Sequence, residues 1–154
     1  MKKLSDIIDK LESNIKYSAL SEPVISTGSV GWHVEHCLLV INSVIDALGK
    51  SIRGTHKNTF TINRSFVMIT GNIPRGKVKA PTAVQPGPVI DIAALQEHIL
   101  HSKEKLKVIG HLSSDHYFKH PFLGDFKLRP ALRFINIHTK HHLKIMHDII
   151  KSKR

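Results

Sequence analysis

His138 and His142 lie four residues apart in the run RFINIHTKHHLKIMHDII near the C-terminus. On a helix this spacing sets two side chains one turn apart on the same face. With Phe134 at zero on a wheel advancing ~100° per residue, His138 falls near ~40° and His142 near ~80°. On the same wheel Ile145 falls near ~20° and Ile149 near ~60°. The two imidazoles therefore point with the apolar residues, into the protein. His147 points away and is expected in solvent, and His141 sits on the edge of the apolar stripe. A buried imidazole needs a hydrogen-bond partner or a metal. Neutral imidazole is a common ligand of zinc and nickel, so the pair reads as part of a divalent-metal site. The competing reading is two core histidines hydrogen-bonded to their neighbours.

A third ligand must come from elsewhere, and a histidine pair three residues apart, His33 and His36, offers two choices. By the wheel His33 is nearer the apolar centre and His36 is on the flank; spacing leaves either open. Three imidazoles with an open position form the pattern of a catalytic rather than a structural zinc site, able to activate water or a thiol. Zinc peptidases need Glu directly after the first His of such a pair, and here Thr139 stands there. Glu35 is a weak candidate for a base and reads more readily as an exposed helix carboxylate. His116 and His120, upstream of the last helix, could approach the open position. His98 and His101 read as surface residues. Cys37 falls on an apolar face, where a thiol is inert. Arg64, Arg75, Lys77 and Lys79 could hold an anionic substrate group, against the plainer reading of a solvated loop.

The elements that must position these residues are helical. Leu4, Ile7, Ile8, Leu11 and Ile15 mark an amphipathic helix over residues 5–17, with Ser5 as N-cap. A second helix is expected over 29–48, capped by Thr27 or Ser29 and stopped by Gly49, with Gly31 blurring its start. Residues 50–89 form a long crossover rich in Gly and Pro, in which 60–68 is a strand or a short helix. A third helix runs from Asp91, its N-cap, to about 108, with Ile92, Leu95, Ile99 and Leu106 inward, and Gly110 ends it. A loop leads to the last helix, which begins at 128–130 with Pro130 in its first turn and ends near 151. Four amphipathic helices with one long crossover between the second and third imply an all-α four-helix bundle of one domain, 1–154, with the second and last helices as the pair that builds the site.

The chain has 154 residues, 41% of them hydrophobic, and few aromatics, which suits a helical core of Ile, Leu and Val. The start lacks a signal-peptide core, the apolar runs are too short to span a bilayer, and there is one cysteine, so a cytoplasmic, reducing location without membrane association is expected. The formal charge of +11 raises the alternative of a non-catalytic bundle binding an acidic partner or nucleic acid through its surface. The cations are dispersed and form no continuous stripe, and no nucleic-acid motif is present, so specific nucleic-acid binding is disfavoured.

The segments SVGWHVEHCLLVINSV, NIPRGKVKAP and HPFLG followed by IHTKHHL resemble the DinB-like (DinB/YfiT) superfamily, most closely a subfamily of short bacterial proteins within it. The similarity spans residues 29–149. The resemblance implies a four-helix bundle with a three-histidine metal site, one ligand on the second helix and two on the last. Carried onto this sequence, those ligands are His36, seven residues after Ser29, with His138 and His142. It further implies a zinc or nickel ion, a small-molecule substrate, for example a thiol, thiol-transferase or hydrolase chemistry, and homodimer formation.

Overall fold

A computed structural model describes residues 2–76 and 80–154. Five α-helices pack together beside a two-stranded hairpin: α1 Lys2–Asn14, α2 Val30–Lys50, α3 Ile62–Thr70, α4 Ile92–Ile109, β1 Tyr117–His120, β2 Gly124–Lys127 and α5 Leu128–Ser152. Short 3-10 turns at Ile15–Tyr17 and Thr82–Val84 complete the element order. Among the described residues no helix is long and apolar enough to cross a membrane.

The four long helices arise where the spacing predicts them. α2 packs against α4 and α5, and α1 packs against the same two. Ile8, Leu11, Leu38, Ile41, Ile45, Leu48, Leu95, Ile99, Ile135, Met146 and Ile149 are fully buried in one continuous core. Each such side chain contributes about 1.5–3 kcal/mol by leaving water. The caps settle the ends. Ser29 Oγ accepts the Trp32 N–H at the start of α2, and Asp91 accepts the Ala93 N–H at the start of α4.

Several boundaries differ from the sequence reading. Ser5 lies inside α1 rather than capping it, because the helix already begins at Lys2. Gly49 does not stop α2. The helix continues to Lys50, and the Ser51 hydroxyl then donates to the Leu48 carbonyl. Gly31 fits the start of α2 for steric reasons: a Cβ there would meet Ile90 Cγ2 at 2.8 Å and Ser18 Cβ at 2.9 Å. Ile92 is half exposed instead of inward, since α4 turns its first residue outside the core that Leu95 and Ile99 fill.

Two elements go beyond four helices. The ambiguous 60–68 segment is helical, as α3, capped by Thr61 Oγ1 and ended by Gly71 in the left-handed conformation. The loop before α5 folds into the β1–β2 hairpin, so the fold is mostly helical rather than purely so. Phe118 pairs with Phe126 across the hairpin, and Phe126 is fully buried. At the hairpin tip His120 Nδ1 accepts the N–H groups of Phe122 and Leu123. Gly124 follows with φ +76°, where a Cβ would also run into Thr59.

Candidate metal centre

α2 and α5 carry the histidines to a common point. From its Ser29 cap, α2 presents Trp32, His33 and His36 within its first two turns. α5 presents His138 and His142 one turn apart on its inner face. The crossover then closes over α2, and its Val84 carbonyl reaches His36 Nδ1 at 2.7 Å. Trp32 stacks on the His36 ring, with centroids 5.1 Å apart and planes 16° apart.

One ring nitrogen from each of His36, His138 and His142 lies within 4.8 Å of the others, forming a group that could hold a metal ion. His36 Nε2 and His138 Nε2 are 3.3 Å apart. That is long for a hydrogen bond but matches the edge of a tetrahedron, about 3.3–3.4 Å when metal–nitrogen distances are about 2.0–2.1 Å. Hydrogen bonding fixes which nitrogens are available. A carbonyl only accepts, so His36 Nδ1 carries the proton and Nε2 the lone pair. His142 Nδ1 meets His33 Nδ1 at 2.9 Å, leaving His142 Nε2 uncommitted, and His33 Nε2 meets Ser26 Oγ at 3.0 Å. Among the described residues His138 Nδ1 is buried without a partner.

Burial also keeps these rings neutral. His33 is 2% exposed and His36 3%. Desolvation, reinforced by the neighbouring His36 and His141, lowers the His33 pKa to about 4. Desolvation likewise lowers His36 and pushes His138 and His142 well down, in the last two with added repulsion from the surrounding imidazoles. A neutral imidazole offers the lone pair that a metal requires. All three donors are neutral, so the donor set fits a divalent ion and leaves its charge uncancelled.

The other singled-out residues fall elsewhere. His33 lies behind His142, bridging it to Ser26 instead of joining the three-nitrogen group. Glu35 points to the other side of α2, where both its oxygens lie 3.1 Å from His98 Nδ1, and His98 Nε2 meets Asn42 Nδ2 at 2.7 Å. His98 is thus a link between α2 and α4 rather than a surface residue. His116 closes a local turn with Ser113. His120 stacks edge-on against Phe134, 4.9 Å between centroids, with its pKa lowered to about 4 by burial. Cys37 is fully buried and its thiol pKa is pushed far up by desolvation. Arg75 pairs with Asp148 at 2.7 Å, and Arg64 lies over the Phe126 ring. Lys77 and Lys79 lie outside the described residues. His147 is exposed, and His141 is partly buried at the stripe's edge.

Sequence reasoning missed the Val84 carbonyl and Ser26. A backbone acceptor in an irregular crossover leaves no residue-type signal, and a serine seven residues before His33 is too common a pattern to stand out. Compared with family models, curated proteins and solved structures, the chain matches none.

Proposed function

We propose that this chain is a DinB-like metalloprotein that binds one zinc or nickel ion through the Nε2 atoms of His36, His138 and His142. The observation that carries the reading is the 3.3 Å approach of His36 Nε2 to His138 Nε2 with His142 alongside, all three rings neutral and two of them held by hydrogen bonds at Nδ1. Bound there, the ion would supply Lewis acidity toward a water or a substrate thiol. The protein residues do the rest. Val84 and His33 fix the orientation and tautomer of His36 and His142, the role that outer hydrogen bonds play around metal-ligating histidines. Trp32 covers one face of His36 and limits water there. Three uncharged donors favour an anionic group in a remaining position, which fits a thiolate or an acidic hydrolytic substrate. The resemblance to DinB-like proteins implies thiol transfer or hydrolysis as the reaction class, and neutral donors with an anion-favouring position are compatible with both.

Elemental analysis of untagged protein, purified without chelator or a metal column, tests the binding. Close to one divalent ion per chain is expected, lost in His36→Ala and in His138→Ala while both variants stay folded by circular dichroism. Wild-type protein that retains no zinc or nickel after incubation and desalting would overturn the reading. With metal established, a screen of thiol-transfer and hydrolytic substrates follows, with His138→Ala as the inactive control.

A further inference from the structure

A second site lies where the hairpin meets the start of α5. Between them and the segment after α2 is an open cleft of about 540 Å³. His56, Arg64, Lys127 and Arg129 bring basic groups to its walls, and Phe60 and Pro130 bring apolar ones. Pro130 precedes His138 by eight residues, a rise of about 12 Å along the helix, so this cleft stands apart from the histidine group.

The wall of the cleft is built, not incidental. Asp125, 6% exposed, accepts the Lys57 N–H at Oδ2 and donates its own N–H to Thr59 Oγ1. Arg64 Nη1 donates to the Thr59 carbonyl at 2.9 Å, and the guanidinium lies 4.4 Å from the centre of the Phe126 ring. Those contacts fix the guanidinium plane while using one of its nitrogens. Among the described residues Nη2 and Nε meet no acceptor, and Arg129 has no carboxylate partner. Lys127 has a loose pair with Asp115 at 3.5 Å. Three permanent cations therefore meet two carboxylates: Asp115, loosely paired with Lys127, and Asp125, whose Oδ2 is already engaged. α5 starts at the same place with no side-chain cap, and its dipole adds to the positive potential.

We propose that this cleft binds a small phosphorylated anion. Arginine forks beside a lysine suit the several oxygens of a phosphate group better than a single carboxylate. The volume exceeds that of one phosphate, and Phe60, 82% exposed, with Pro130 provides an apolar wall for an attached ring.

Calorimetric titration of chelator-treated protein with pyrophosphate and with phenyl phosphate, at low salt, tests this. One saturable site is expected, weakened about tenfold by Arg129→Gln and by Lys127→Gln, since each removes a charge-assisted hydrogen bond. Both residues are outside the core, and melting temperatures check that the variants fold. Lys10→Gln with Lys140→Gln, in the groove between α1 and α5, is the control and should leave binding unchanged. Absence of saturable binding in the wild type, or an equal loss in the control, would overturn the proposal in favour of diffuse attraction to a basic surface. Tighter binding of phenyl phosphate, lost in Phe60→Ala, marks an organic phosphate ester as the ligand; preference for pyrophosphate, unchanged in Phe60→Ala, marks an inorganic one. Either order supports the site.

Discussion

α2 carries polar side chains into two interfaces, and they are built differently. Toward α5, His33, His36, His138 and His142 gather, and among the described residues no carboxylate bonds to them. Toward α4, His98 is held between Glu35 and Asn42. In the second interface the imidazole meets a carboxylate that accepts a hydrogen bond from its Nδ1–H, which links the two helices. In the first, imidazoles meet other imidazoles, and burial depresses their pKa values. One residue type thus serves as a helix link where an acid faces it, and as a potential ligand where ring nitrogens of several imidazoles face one another.

The sharpest way to break this comparison is to remove one histidine from each interface. His142→Ala is expected to abolish stoichiometric metal binding. His98→Ala should keep the metal and lower stability by about 1–3 kcal/mol, the cost of leaving Glu35 and Asn42 without their partner. Metal titration and chemical denaturation of both variants check this, and loss of metal in His98→Ala would dissolve the distinction.

Acid should act on the imidazole cluster next. Unfolded, His33 titrates near 6.5; folded, at about 4. Between those values the unfolded chain holds a proton that the folded chain lacks, so falling pH favours unfolding. Stability should be intact above about pH 6.5 and decline from there toward pH 4, by about 3 kcal/mol for His33 alone. His120 and the other buried imidazoles shift in the same direction. Denaturation of metal-free protein between pH 7 and 5, where carboxylates remain largely charged, measures the slope, and a flat profile would contradict it.

A smaller effect is expected from His33→Ala. It removes the partner of His142 Nδ1 without removing a ligand, so metal affinity should fall about 10–100-fold with the stoichiometry kept. His33→Gln, which retains a hydrogen-bonding group, should recover part of that loss. Unaltered affinity in both would mean that His142 needs no orienting partner.

Much of this was legible in the sequence, for specific reasons. The i, i+4 pair on the apolar stripe of α5 set both His138 and His142 facing inward, as they do, because helical periodicity maps directly onto direction. The same wheel set His33 nearer the apolar centre than His36, and only the resemblance implied His36, the one that joins the three-nitrogen group. The wheel measures depth, and both are buried; what separates them is that His36 faces His138 while His33 lies behind His142. The pairing of Glu35 with His98 was missed because it depends on how α2 and α4 register, which neither helix encodes alone. The hairpin escaped because four-residue strands carry too little periodicity to stand out from a loop. α3 was ambiguous over its apolar core, and its ends, Thr61 and Gly71, decide it as a helix.

The mildest change tests the comparison most finely. Glu35→Gln removes the charge facing His98 but keeps an oxygen that can accept its N–H. The Glu35 and His98 side chains are 23% and 21% exposed, so solvent already screens the pair, and the expected loss is below about 1 kcal/mol. Metal affinity should not change, because Glu35 points away from His36 although the two are neighbours in the chain. A tenfold loss of affinity would show that the α2–α4 network sets the rotation of α2 and hence the position of His36. The two interfaces would then be one coupled system, and the carboxylate would belong to the metal centre through the helix that carries both.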